Sequence, residues 1–158
     1  MTIMSDLDVC CRLVRSTGAL PERATDGASG FDLRMAGWRW PWQTEVDNGN
    51  LTLDAGERAL IVTGFSMALQ PGWEAQIRGR SGLALRSGLL VAFGTIDSDY
   101  RGEVGVIVVN VGDRITLRPG ERVAQMVFAR VPSVRLMLAD ALNDTTRGDG
   151  GFGSTGLT

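Results

Sequence analysis

Apolar residues come in short runs along this chain, and the runs are rich in Val, Ile and Leu. "RALIVTGFSMAL" (58–69), "EVGVIVVNV" (103–111), "RVAQMVFARV" (122–131) and "SVRLMLA" (133–139) all have the length of strands. Turn sequences such as "LQPGWE", "VGDR" and "RPGER" separate them at near-regular spacing. This pattern predicts an all-β barrel or sandwich. Only "SGLALRSGLL" (81–90) has room for a helical turn or two. Long segments of 3.6-residue period are absent, which argues against a βαβ fold. A length of 158 residues suits one domain, and no internal repeat or second domain is visible.

The segment "GWRWPWQTEVDNGN" (37–50) stands apart. Trp38, Trp40 and Trp42 alternate, so an extended chain puts all three on one face. Pro41 argues against a central strand. An edge hairpin packing its tryptophans on the body is one expectation. A patch that holds a protein partner is the other, because clustered exposed aromatics mark interfaces.

Composition narrows the chemistry. Hydrophobic residues make up 44% and charged residues 22%, the values of an ordinary soluble globule. The start, "MTIMSDLDVCCRLVR", lacks a basic stretch followed by an apolar one, so no signal peptide is expected. A net charge of −2 argues against a nucleic-acid or anionic-membrane surface. Cys10 and Cys11 are neighbours and make no disulfide framework, so a reduced, cytoplasmic setting is expected. The chain has no histidine, and all 16 of its basic side chains are arginine. A Ser-His-Asp triad and a lysine-bearing phosphate loop are thereby excluded, and a zinc site lacks its usual histidines. Acid–base work falls to carboxylates, and phosphate binding to Arg, hydroxyls and backbone N–H groups.

Five stretches combine small residues with chemistry-bearing ones. "GASGFDL" (27–33) sets Asp32 in a small-residue loop, and "RGRSGLA" (78–84) presents Arg80, Ser81 and Gly82. "GTIDSDYRGE" (94–103) groups Asp97, Asp99 and Tyr100 beside Arg101, and "PGERVAQMV" (119–127) places Gln125 in an apolar strand. "RGDGGFGSTG" (147–156) carries Arg147, Phe152, Gly153, Ser154 and Thr155 on a glycine-rich tail. Taken singly, each has a structural explanation as a turn, a cap or a wet strand face.

Together and in this order, over residues 20–156, they resemble the five motifs of the trimeric deoxyuridine triphosphatase (dUTPase) family. The resemblance implies an antiparallel jelly-roll-like β-barrel over 1–146 with a flexible lid over 147–158. It implies a homotrimer whose three active sites are each built from all three subunits. It also implies the reaction dUTP + water → dUMP + pyrophosphate, with Mg2+ on the triphosphate. In that frame Asp97 is the general base and Asp99 the runner-up. Tyr100 is the wall under the deoxyribose. Arg80, Ser81, Gly82 and Gln125 hold the phosphate chain. Phe152 stacks on the base, while Arg147, Gly153, Ser154 and Thr155 wrap the phosphates. Asp32 supports the site and orients a magnesium-bound water, with no protein group bound directly to the metal.

One stretch departs from the family pattern. Between "SGLA" and "GTID" the family has a hairpin carrying an Asn whose main chain reads uracil. The segment "LRSGLLVAF" (85–93) is about two residues shorter and has no Asn. Phe93 stands near its turn. Looser base selection is therefore expected, with dCTP or a modified pyrimidine nucleotide as the alternative substrate. A dUTP-gated protein that binds a partner through the tryptophan segment is the alternative from another class.

Overall fold

The computed structural model describes residues 7–151. Among them are eleven strands and one short helix, and every strand pair is antiparallel. One sheet is built around β5 (Arg58–Ala68). Along one edge β5 pairs with β9 (Glu103–Asn110), which in turn pairs with β7 (Leu89–Val91). Two short strands, β1 (Cys10–Leu13) and β3 (Gly37–Arg39), also pair with β5. A second sheet has the order β2 (Phe31–Arg34), β11 (Arg122–Arg130), β6 (Trp73–Arg78), β8 (Gly94–Ile96). β4 (Leu51–Leu53) and β10 (Ile115–Leu117) form a small ribbon. The helix α1 (Ser81–Ser87) ends at Gly88, whose φ of 67° closes it in the left-handed conformation.

The core is the side-chain period of two made visible. In β9, Val104, Val106, Val108 and Asn110 point inward while the alternate positions face outward. They meet Leu33, Met35, Ile61, Phe65, Val123 and Met126. Asn110 is fully buried yet satisfied. Its Nδ2 donates to the Leu53 and Asp113 carbonyls, and its Oδ1 accepts from Gly112 N–H. That side chain therefore knits the "VGDR" turn to the ribbon.

β5 is interrupted. Its register against β9 shifts between Val62 and Ser66, and Gly64 sits in the gap with φ +79°. A side chain there meets two obstacles: the conformation favours glycine, and a Cβ would lie 2.3 Å from the Gly18 Cα. The Gly64 carbonyl accepts from Val14 N–H at 2.8 Å, which ties the N-terminal segment to the bulge.

The tryptophan segment forms the expected hairpin. Trp38 and Asp47 exchange two backbone hydrogen bonds of 2.8 Å each. The three indoles share one face: Trp38 meets Trp40 edge-on at 5.2 Å, and Trp40 stacks on Trp42 at 5.5 Å. Trp38 is buried, whereas Trp42 is 76% exposed. Trp38 Nε1 is buried and has no hydrogen-bond partner, for which the structure shows no compensation.

"SVRLMLA" is not a strand. Among the described residues, 132–139 pair with no element, and Leu136, Met137 and Leu138 are exposed. Strand propensity alone does not make a strand; the segment needs an edge to pair with, and within one chain it meets none. Cys10 and Cys11 are free and exposed at the start of β1. Burial and then the neighbouring Cys10 raise the Cys11 thiol above its ordinary value, which lowers its reactivity. Among the described residues no helix is long and apolar enough to cross a membrane.

Gly64→Ala is expected to lower stability by about 2–4 kcal/mol, the sum of a left-handed Cβ and an overpacked contact. Denaturant unfolding measures it, and a loss under about 0.5 kcal/mol, the usual size of a neutral surface change, contradicts this account of the bulge.

Candidate active site

The sequence-predicted residues separate into two clusters on the β2-β11-β6-β8 sheet. The first lies on β2, on β11 and at the far end of β6. Gln125 is in register with Asp32 on one side and Arg78 on the other. Arg80 is the N-cap residue of α1, in extended conformation. The side chain of Asp32 is only 15% exposed and lies between two guanidiniums. Arg80 Nε is 3.3 Å from Oδ1, and Arg122 Nη1 donates to Oδ2 at 3.0 Å. Arg80 also donates to the Arg122 carbonyl at 3.0 Å, which locks the fork. Gln125 Nε2 donates to the Gly79 carbonyl at 2.9 Å, and its Oε1 lies against Gly30, where a Cβ would come within 2.2 Å. Ser81 is exposed at the first position of α1, and Arg86 folds back to the Gly82 carbonyl at 3.3 Å. Two arginines against one carboxylate leave net positive charge, the condition for holding phosphate oxygens. Arg122 was not singled out from the sequence; its place in "GERVAQ" gave only the strand start.

The second cluster follows β8. The Asp97 carbonyl accepts from Tyr100 N–H at 3.2 Å, closing a tight turn. Asp97 and Tyr100 line one open cavity of about 280 Å3 with Leu60, Ile96, Glu103 and Ile107. Asp97, Asp99 and Tyr100 are exposed. Arg101 does not pair with Asp99; it donates to the Ser98 and Tyr100 carbonyls at 2.7 and 2.8 Å and so stiffens the turn. Tyr100 O–H donates to the Glu103 carbonyl at 3.0 Å. Phe93 is 64% exposed beside this cavity's strand, between β7 and β8, and is not among the cavity-lining residues. Glu103, which does line it, was missed because its sequence context reads as a strand start.

The clusters stand apart. Ile96 pairs with Ala75, so Asp97 falls beside Glu74, and Arg80 lies six positions further along the same extended segment. At about 3.3 Å per residue the separation is roughly 20 Å. Arg147 lies on the tail and donates to its own Gly150 carbonyl at 2.9 Å, away from both clusters' hydrogen bonds. Phe152, Gly153, Ser154 and Thr155 lie outside the described residues. No group of three or more acidic, Cys or His side chains that could hold a metal occurs among the described residues.

Comparison with known proteins decides the family. The family model described as dUTPase matches residues 16–156. The chain belongs to the dUTPase family. It is 46% identical to the deoxyuridine 5'-triphosphate nucleotidohydrolase of Rhizobium leguminosarum bv. trifolii, over 99% of this chain and 100% of that one. It is 49% identical to the protein of the same name from Roseobacter denitrificans, over 87% and 86%. The family is one of enzymes, dUTP diphosphatases. Among solved structures, the fold matches a variant dUTPase of Staphylococcus bacteriophage 80alpha with dUpNHpp. The TM-score is 0.83 at 20% identity, covering 95% of this chain and 99% of that one. It also matches a variant dUTPase of phage phi11, described with a structural Mg(II) ion. There the TM-score is 0.73 at 18% identity, covering 85% and 97%. The jelly-roll-like all-β architecture expected from the motifs is thereby established.

Proposed function

We propose that this dUTPase-family protein hydrolyses dUTP to dUMP and pyrophosphate, with Asp97 as the general base. The observation that carries the reading is the cavity shared by Asp97 and Tyr100, lined by aliphatic residues and two carboxylate-bearing ones. A water oxygen attacks the α-phosphorus. The bond from that phosphorus to the oxygen bridging to the β-phosphorus breaks, and pyrophosphate leaves with the electron pair. The water proton passes to a carboxylate, since the chain has no histidine, and the family motif makes that carboxylate Asp97. Tyr100, its hydroxyl held by the Glu103 carbonyl, fixes a flat wall that leaves no room for a 2′-hydroxyl. Positioning and charge neutralisation supply the rest of the acceleration. Mg2+ when bound neutralises triphosphate charge. Both Asp32 carboxylate oxygens already face guanidiniums, which suits a contact to the metal through water.

The working unit in this reading is a homotrimer with shared sites. A triphosphate is far shorter than the roughly 20 Å between Asp97 and Arg80 of one chain, given strand geometry. Arg80, Ser81, Gly82 and Gln125 of a second copy hold the phosphates beside the first copy's Asp97. The exposed apolar arm over 131–146 needs a surface to cover it. Extended, it reaches up to about 50 Å, far enough to carry the lid over 147–158 to a neighbour. There Arg147, Phe152, Gly153, Ser154 and Thr155 close over the nucleotide, and ordering them costs about 1–2 kcal/mol per residue, so closure requires the triphosphate. Free adjacent cysteines fit a reduced, cytoplasmic setting.

Base selection is the point where this chain differs. Ala92 N–H donates to the Ile107 carbonyl at 2.9 Å, and Gly94 already pairs with Ile77 in the other sheet. Phe93 alone spans the junction, so little backbone remains to read a base edge. Selection then rests on shape and stacking more than on pairing, which leaves room for dCTP or a modified pyrimidine nucleotide.

Asp97→Asn is expected to keep fold and nucleotide binding while lowering kcat by about 10²–10⁴; retention of over a tenth of the rate removes the role from Asp97 and gives it to Asp99 or to bulk hydroxide. Mixing inactive Asp97→Asn and Arg80→Ala proteins, after dissociation and reassembly, is expected to restore activity in mixed trimers. A monomer mass in light scattering, or no recovery on mixing, contradicts the shared site. In kcat/KM, dUTP is expected to exceed dCTP and dTTP by less than about 10⁴, the range of a site with fully paired polar groups. A larger ratio contradicts the reading of the short junction, and a preference for dCTP reassigns the substrate.

A further inference from the structure

The wall of the catalytic cavity is held by a side-chain network that the reaction itself does not use. Glu103 opens β9 and lines the cavity with Asp97 and Tyr100. Its carboxylate also reaches the bulge of β5. Arg15, 88 positions earlier in the chain, grips it with both ends of its fork: Nε to Oε1 at 2.7 Å and Nη2 to Oε2 at 2.8 Å. Gly64 N–H, which the register shift withdraws from the β5–β9 ladder, donates to the same Oε1 at 2.9 Å. The side chains are 30% and 19% exposed, so the pair is substantially withdrawn from water. The backbone of Glu103 does a second job, since its carbonyl accepts the Tyr100 hydroxyl at 3.0 Å. The ring of Tyr100 in turn lies on Gly102, where a Cβ would sit 2.3 Å from the phenolic oxygen. The chain of contacts therefore runs Arg15, Glu103, Tyr100, cavity.

We propose that Arg15 and Glu103 are positioning residues that set the sugar-discriminating wall of Tyr100 and neutralise the cavity for an anionic nucleotide. The proposal rests on the reading of Tyr100 as the wall under the deoxyribose. Two physical consequences separate this role from a plain staple. First, without Arg15 the Glu103 carboxylate stays partly buried at the rim of a site that must accept a polyphosphate, and like charge opposes binding. Second, the carboxylate fixes the start of β9, and with it the carbonyl that orients the phenol ring. A tilt of the ring opens space beside the sugar, where an extra hydroxyl would otherwise collide. Arginine suits the task better than lysine, because its planar fork meets both carboxylate oxygens at once.

The test uses the assembled enzyme and its two substrates, dUTP and UTP, with Arg15→Ala, Glu103→Gln and the double variant. In Arg15→Ala, KM for dUTP is expected to rise about tenfold, the scale of one lost charge-assisted hydrogen bond, with kcat changing less. The dUTP-over-UTP ratio in kcat/KM is expected to fall by a similar factor. Arg15→Lys, which keeps the charge without the fork, is expected to recover KM more fully than the ratio. In the double variant the stranded carboxylate is gone, so KM is expected to recover while the ratio stays low. If the variants lose melting temperature but keep KM and the ratio within twofold, the network is a staple only and the proposal fails. If Arg15→Ala does not fold, Glu103→Gln carries the ratio arm of the test: its amide retains an acceptor for Gly64 N–H but breaks the two-point fork, so the dUTP-over-UTP ratio is expected to fall without a rise in KM, and an unchanged ratio overturns the proposal. A Tyr100→Ala protein with the wild-type ratio overturns the underlying assignment of Tyr100, and is distinguished from the first failure by the Arg15 variants.

Discussion

The break in β5 at Gly64 is the constraint on which the rest of the molecule turns. β5 is the strand that carries β1, β3 and β9. A continuous strand would pair evenly and leave its flanks flat. The bulge instead releases one N–H and one carbonyl from the ladder, and both are taken by segments far away in sequence. The carbonyl holds Val14, the N–H holds the Glu103 carboxylate, and the Gly18 backbone packs against the gap. The shift sets four steps of β5 against two of β9, and extra residues of this kind bend a strand and aim its neighbours. Here the neighbours include the first residue of β9 and the tyrosine turn before it. The geometry of the cavity is thus inherited from a backbone irregularity that only glycine accommodates without strain.

Strand register then decides what one chain can and cannot do. β6 runs between β8 and β11, with Asp97 beside one end and Arg80 beyond the other. A sheet is stiff along its strands, so no local adjustment brings those groups together. Charge follows the same division. The arginine end holds Asp32 between two guanidiniums, while the Asp97 end has carboxylates and aliphatic walls. In the proposed function a polyanion and its attacking water use both ends, so assembly and chemistry are coupled. The apolar arm after Val131 is exposed along its length, and the proposed trimer gives it a surface to cover it.

Restricting basic side chains to arginine shapes both ends. Guanidinium forks bind carboxylates in two-point contacts, as at Arg15–Glu103 and Arg114–Asp54. At Asp54 the hydrogen bond from Arg114 lowers the carboxyl below its ordinary value, although that pair is solvent-exposed and contributes little to stability. The same fork that is wasted at the surface is effective where it is half-buried, because the competing water is fewer and the geometry is held by the sheets.

The sequence by itself determined the fold class and, through its ordered motifs, the family. Short β-branched runs between turns favour strands: "EVGVIVVN" alternates inward and outward, and "RVAQMVFAR" is a strand whose adjacent Val123 and Ala124 are both buried beside a register shift. The absence of histidine and lysine leaves carboxylates and arginines for the chemistry, and the ordered motifs point to Asp97, Tyr100, Arg80 and Gln125 as candidates. Local sequence could not say that "SVRLMLA" lacks a partner, since a strand exists only where another edge receives its hydrogen bonds. Nor could it reveal Arg122 on Asp32, or Arg15 on Glu103 from 88 positions away. Those contacts depend on a register shift and on the order of strands in a sheet, which are properties of the packed chain. Tertiary structure alone decided that the predicted site residues fall into two groups one strand's length apart, because distance along a strand is set by register and not by motif.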